Sequence, residues 1–183
     1  MPRLSNVEQA NLVRSREVAN DLFWTPKSLV KIHLEMLIPH VRPDDLILEP
    51  ARGRGAYYDY FELAFPEANY DWCEITDGRD FFEYSIGNSP DVILTNPPFS
   101  LLKRFIERMI LLNPRVISLL LNSYAMTPCR IQEFNDAGYY LVGYHLTRVN
   151  RWFGCSCIVV FSREATSNII SIDTTKHVLE SDV

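Results

Sequence analysis

The stretch Asn96-Pro97-Pro98-Phe99 carries the residue types best suited to chemistry. Asn96 offers a side-chain carbonyl that accepts hydrogen bonds. Neither proline has a backbone N–H, and each fixes φ at about −65°. A residue before a proline is pushed to extended geometry, which keeps the carbonyls of this stretch out of ordinary turn and helix bonds. Together they make a set of acceptors for an –NH2 group, and Phe99 adds a flat face on which a planar ring can stack. An amino group on a planar ring, held by acceptors and stacked on an aromatic, describes adenine being modified at N6. Taken alone, the four residues fit a proline-containing turn equally well.

The elements around them narrow the choice. Asp91 to Thr95 is an apolar run that reads as a buried strand, and Ser100 to Ile106 reads as the start of a helix. The loop therefore sits at the carboxyl end of a strand, where ligands bind in open α/β sheets. A second loop has the same setting. Leu46-Ile47-Leu48-Glu49 reads as a strand, followed by Pro50-Ala51-Arg52-Gly53-Arg54-Gly55 and a helix from Ala56 to about Phe65. The third glycine of a dinucleotide loop is replaced by Tyr58. Glu49 would repel a phosphate but can accept from an amino group, which points to a cationic or zwitterionic nucleoside ligand. A further strand, Ala68 to Glu74, ends in an acid 19 residues after Gly55, about the spacing at which such an acid bonds ribose hydroxyls. Asp80 can accept from an adenine amino group with Phe81 packed on the ring; a solvated aspartate beside two core phenylalanines is the competing account. Thr25-Pro26 has the form of a helix cap followed by a first-turn proline, with a helix running to about Ile38.

Downstream, Leu101 to Ile110 has the stripe of a sheet-covering helix. Val116 to Leu121 reads as another buried strand, and Thr127-Pro128 opens a helix that Gly138 closes. Tyr139 to Thr147 and Cys155 to Ser162 read as a β-hairpin with an aromatic and basic tip. Strands alternating with helices, then a hairpin, imply a mostly parallel α/β sheet with an antiparallel end. With 183 residues and 47% hydrophobic content, residues 1–163 suit a single domain with a sizeable core; 1–22 reads as a helical arm and 164–183 as a loose polar tail. No apolar run approaches a membrane span. Cys73, Cys129, Cys155 and Cys157 have no zinc-site spacing and read as reduced thiols of an intracellular protein. The net charge of −5 argues against tight binding driven by phosphates alone.

The order of these pieces resembles the S-adenosylmethionine-dependent amino-methyltransferases, above all the DNA adenine-N6 methyltransferases. The resemblance runs from about Phe23 to Arg163 and rests on Glu-Pro-x-x-Gly-x-Gly followed about 40 residues later by Asn-Pro-Pro-Phe. It implies a Rossmann-like class I methyltransferase fold and S-adenosyl-L-methionine as cofactor, with no metal. Thr25 and Pro26 would sit by the methionine part; Glu49, Ala51, Gly53 and Gly55 would form the main cofactor loop. Glu74 would hold the ribose, and Asp80 with Phe81 the cofactor's adenine. Asn96, Pro97, Pro98 and Phe99 would hold the target amino group, and Arg151, Trp152 or Phe153 would grip the flipped base. DNA is the expected partner, with RNA adenine and protein glutamine amides as related targets; a non-catalytic cofactor-binding subunit would carry the same loops. Only about 50 residues separate Phe99 from the hairpin tip, and core elements use nearly all of them. Target recognition is therefore expected from a partner subunit or second copy, from the hairpin and arm, or from a substrate that needs little recognition.

Overall fold

The computed structural model describes residues 25–85, 87, 89–149, 152, 154–171 and 173. The expected arm at 1–22, Arg151, Phe153 and residues 174–183 lie outside the described residues. Six strands form one sheet: β1 (Leu46–Glu49), β2 (Asn69–Trp72), β3 (Val92–Thr95), β4 (Val116–Asn122), β5 (Tyr140–Thr147) and β6 (Ser156–Ser162). Their order is β2-β1-β3-β4-β6-β5. The first four run parallel, and β6 is antiparallel to both β4 and β5. This is the architecture expected from the alternation of motifs. β2 is shorter than expected, and Glu74 lies beyond it, in an isolated bridge to Arg79.

Among the described residues, four α-helices cover the sheet: α1 (Lys27–Leu37), α2 (Tyr58–Ala64), α3 (Leu102–Leu112) and α4 (Pro128–Asp136). Strand side chains alternate between faces, and the core divides accordingly. On one face Ile47, Val92, Leu94 and Val116 pack with Val30, Leu34 and Leu37 of α1 and Phe61 of α2. On the other, Leu48, Ile93, Ile117 and Leu119 pack with Phe105, Ile106 and Met109 of α3 and Phe134 of α4. The four residues of β3 are all buried, as a strand covered on both faces requires.

Helix ends follow the sequence in one case and depart from it in another. Thr127 caps α4, its hydroxyl accepting the Arg130 N–H at 3.2 Å. Thr25, expected to cap α1, does not. The cap position falls on Pro26, whose carbonyl accepts the N–H groups of Leu29 and Val30 at 2.9 and 3.0 Å. The Thr25 hydroxyl is instead taken up by Asn96.

The amino ends of the parallel strands carry an ionic cluster. Arg115 pairs with Asp45 at 2.5 Å, and the two side chains are only 14% and 7% exposed. Arg115 also donates to the His40 carbonyl at 2.9 Å and lies 3.4 Å from Glu164. Asp45 accepts the Arg42 N–H at 2.7 Å. The first residues of the expected loose tail are held here and along β5: the Leu141 N–H donates to Asn168 Oδ1 at 2.8 Å, and the Ile169 N–H to the Leu141 carbonyl at 2.9 Å. Removing one partner of a buried pair strands the other charge. Asp45→Ala is expected to lower unfolding free energy by about 3 kcal/mol, measured by urea denaturation; a loss under about 1 kcal/mol would place Arg115 effectively in solvent.

Candidate active site

The order of the strands turns at β1. The chain leaves β1 toward β2 on one side and returns to β3 on the other, so β1 and β3 are parallel neighbours with Leu48 opposite Ile93. Their carboxyl ends diverge into loops and leave a crevice, the usual ligand position in such sheets. A cavity of about 480 Å3 occupies it. Of the expected residues, Thr25, Glu49, Ala51, Gly53, Glu74, Asp80, Phe81, Asn96 and Pro98 line this cavity. Pro26, Gly55, Pro97, Phe99 and Trp152 are outside its lining.

Each acid reaches the cavity from a different element. Glu49 ends β1 with 1% exposure and accepts the Tyr58 N–H, at the start of α2, at 3.1 Å. Burial pushes its carboxyl well above the usual carboxylate range, against the opposing pull of that N–H and of Arg52. Glu74 ties two loops together: Oε2 accepts the Gly53 N–H at 2.7 Å, and Oε1 accepts the Thr76 N–H and hydroxyl at 3.1 and 2.9 Å. Asp80 opens a short 3-10 turn, with Oδ1 accepting the Phe82 N–H at 2.9 Å.

The glycine loop is rigid for reasons internal to the chain. Gly53 and Gly55 have positive φ, and a Cβ on Gly55 would come within 2.8 Å of Asp59 Oδ1. Gly55 thus shapes the loop without touching the cavity. The Arg52 guanidinium stacks between the rings of Tyr58 and Trp72, 5.1 and 4.8 Å from their centroids. The N–H groups of Arg52, Gly53, Gly55 and Tyr58 all have protein acceptors. They do not form the open row of donors that cradles a phosphate. The buried Glu49 carboxyl lies beneath this loop.

The aromatic side of the cavity differs in detail from the expectation. Phe81 is 3% exposed and packs on Phe105 with centroids 5.0 Å apart, within the core. Its neighbour Phe82 also lines the cavity and carries the Arg104 guanidinium over its ring at 4.2 Å. Ile75, 67% exposed, adds an apolar face beside Glu74. Trp152 packs on the cluster of Leu29, Leu120 and Ile158, away from the cavity. Tyr57, Phe82, Ile75 and Arg104 line the cavity without having been singled out. For Arg104 and Ile75 the signal was adjacency, a basic pair just after Asn-Pro-Pro-Phe and an apolar residue just after the acid. Among the described residues, no group of three or more His, Cys, Asp or Glu side chains is arranged to hold a metal, and no helix is long and apolar enough to cross a membrane.

No protein-family model matches the chain, and no curated protein matches it in sequence. Solved structures match its fold. A protein assigned as an RNA methyltransferase from Pyrococcus horikoshii aligns with a TM-score of 0.58 at 12% identity, covering 86% of this chain and 98% of that one. The 1,6-didemethyltoxoflavin-N1-methyltransferase of Burkholderia thailandensis, solved with its namesake compound and S-adenosylhomocysteine bound, aligns with a TM-score of 0.54 at 13% identity, covering 88% and 92%. A protein assigned as the modification subunit of a type I restriction enzyme from Vibrio vulnificus YJ016 gives 0.57 at 14% identity, over 96% of this chain and 53% of that one. The chain therefore has the Rossmann-like methyltransferase fold.

Glu49 makes the site testable in the protein alone. Its raised carboxyl keeps a proton in the folded state that the unfolded chain releases above about pH 4.3. The associated stability is complete below that pH and is lost as pH rises through the folded value. Glu49→Gln keeps an acceptor for the Tyr58 N–H and removes the charge. Its Tm is expected to exceed that of the wild type by about 3 °C at pH 8 and to match it near pH 4.5. Equal Tm values at pH 8 would mean that the carboxylate is solvated.

Proposed function

We propose that the chain transfers a methyl group from S-adenosylmethionine to the N6 amino group of adenine in DNA. The observation that carries this reading is the meeting of Glu49 and Asn96, from the carboxyl ends of paired strands, in one cavity. The donor set fits the cofactor. Glu49 is a buried acid suited to the ammonium or sulfonium charge. Glu74 already accepts three hydrogen bonds, which leaves about one lone-pair direction of a carboxylate for a ribose hydroxyl. Asp80 would accept from the adenine amino group, with Ile75 and Phe82 covering the ring faces. When bound, S-adenosylmethionine supplies an electrophilic methyl on a sulfonium.

The remaining work falls to the Asn96 loop. An adenine amino nitrogen is a poor nucleophile because its lone pair is delocalised into the ring. Acceptors at Asn96 Oδ1, in the lining, and at the Pro97 carbonyl, just outside it, would hold both N–H bonds out of the ring plane and restore lone-pair character at nitrogen. Positioning and fixed dipoles then carry the rate; the sulfonium leaves as the thioether, and the methylated nitrogen loses its extra proton to water afterwards, so no general base is needed before transfer. Phe99 follows the clamp and offers a stacking face worth about 1–3 kcal/mol toward a flipped base. Arg104, on Phe82 at the cavity, provides a cation for the nucleic-acid backbone.

The experiment is transfer of tritiated methyl from the cofactor to DNA, RNA and protein. Label is expected in DNA as N6-methyladenine, and Asn96→Ala is expected to lower kcat by about 100-fold with cofactor binding retained. Label confined to RNA or to protein glutamine would overturn the DNA assignment. If the chain is inactive alone and Asn96→Ala leaves a reconstituted complex fully active, the chain is a cofactor-binding subunit.

A further inference from the structure

A line of polar side chains runs from the cavity into the sheet. Asn96 Nδ2 donates to Thr25 Oγ1 at 3.1 Å. The Thr25 hydroxyl lies beside the Tyr57 phenol, near enough to oppose the rise that burial imposes on it. The Tyr57 phenol is 2.9 Å from His33 Nδ1, and His33 Nε2 is 2.7 Å from Ser118 Oγ. Ser118 Oγ donates to the Val159 carbonyl of β6 at 3.3 Å. His33 and Ser118 are fully buried, and Tyr57 is 1% exposed. Such a line across α1, α2, β4 and β6 is not needed to fill the core; Leu or Val at these positions would avoid burying polar groups.

The direction of the hydrogens is fixed at the Val159 end. The Val159 carbonyl can only accept, so the Ser118 oxygen takes its hydrogen bond from His33 Nε2–H. Burial holds His33 neutral, with its pKa lowered to about 3, and a neutral imidazole has one donor and one acceptor. Nδ1 is then the acceptor for the Tyr57 hydroxyl, the phenol oxygen is left to face the Thr25 hydroxyl as an acceptor, and Thr25 Oγ1 accepts from Asn96. Every hydrogen points from the cavity toward the sheet. Reversed, the Thr25 hydroxyl would donate to Asn96 Oδ1, and the amide NH2 would face the cavity. An amino substrate would then meet donors instead of acceptors.

We infer that Thr25, Tyr57, His33 and Ser118 are a positioning relay that holds the Asn96 amide with its carbonyl toward the substrate. The inference rests on the reading of Asn96 as an amino-group acceptor. It places part of the selectivity for an –NH2 nitrogen in the sheet interior. A hydroxyl-bearing substrate gains nothing from that orientation, since a hydroxyl can donate or accept.

The test combines two kinds of readout. In protein labelled with 15N-histidine and 15N-asparagine, NMR is expected to find His33 as the Nε2–H tautomer with no titration between pH 5 and 8. The Nδ1–H tautomer would overturn the relay's direction. Tyr57→Phe removes one oxygen from the middle of the line. It is expected to speed exchange of the Asn96 side-chain amide protons about tenfold, the loss of one net hydrogen bond; unchanged exchange would overturn the relay whatever the protein's activity. In transfer assays Tyr57→Phe and Ser118→Ala are each expected to lower kcat about 10-fold or more, with the cofactor KM within about twofold. Their combination is expected to cost no more than the larger single effect, as for residues acting in series. Wild-type kcat in folded Tyr57→Phe would overturn the relay and leave the function standing. A wild type inactive on every adenine substrate would sink the functional reading, while the tautomer and exchange measurements would still decide the relay.

Discussion

β1 and β3 pair directly and in parallel, yet the chain departs from their carboxyl ends toward opposite sides of the sheet. Their loops cannot fill the space between them. That constraint sets the position of every polar group in the cavity. Glu49 is the last residue of β1, and Asn96 follows the last residue of β3, so a buried acid and an amide face one volume without any special loop geometry. The neighbouring loops then close on this frame through backbone donors: Cys73 N–H to the Glu49 carbonyl, Arg52 N–H to the Cys73 carbonyl, Gly53 N–H to Glu74. The site is stiff because its loops spend their donors on each other.

The fold was legible in the sequence where burial on both faces erases alternation, as in Val92 to Thr95 and Val116 to Leu121. It was legible too where turn chemistry is strong, as at Thr127-Pro128 and Gly138. The loops around Glu49 and Asn96 announced themselves by residue type, because only a few side chains accept an amino group or permit a positive φ. Other features depend on contacts that sequence proximity does not encode. Thr25 reads locally as a cap, and a cap it would be if its hydroxyl had no better partner; Asn96, 71 residues away, is that partner. Phe81 and Phe82 are adjacent, identical in type and both packed on Phe105, so only the depth of burial in the fold separates the core ring from the partly exposed one. The bond between the Tyr57 phenol and His33, which comes from another helix 24 residues away, has no local signal at all.

The same buried groups pull stability and chemistry in different directions. Glu49 costs the folded state most at the pH where it would attract a cation best. His33 charges only with difficulty, so the folded state loses stability as pH falls below about 6.5 toward the folded value of about 3. The protein thus meets one penalty from a group that resists ionising as an acid and another from one that resists ionising as a base. Glu49 lines the cavity, and His33 lies behind it, bonded to the lining residue Tyr57.

The ionic cluster of Arg115, Asp45, Arg42 and Glu164 lies at the other end of the strands. It gathers the turn before β1, the start of β4 and the segment after β6 into one knot, with the whole length of the sheet between it and the crevice. That separation gives the molecule a handle. A fluorophore, an affinity tag or a surface linker attached at the exposed residues around Arg42 and Glu164 would leave the cavity mouth pointing away from the support. Its signal would report on unfolding of the sheet and stay blind to what enters the crevice.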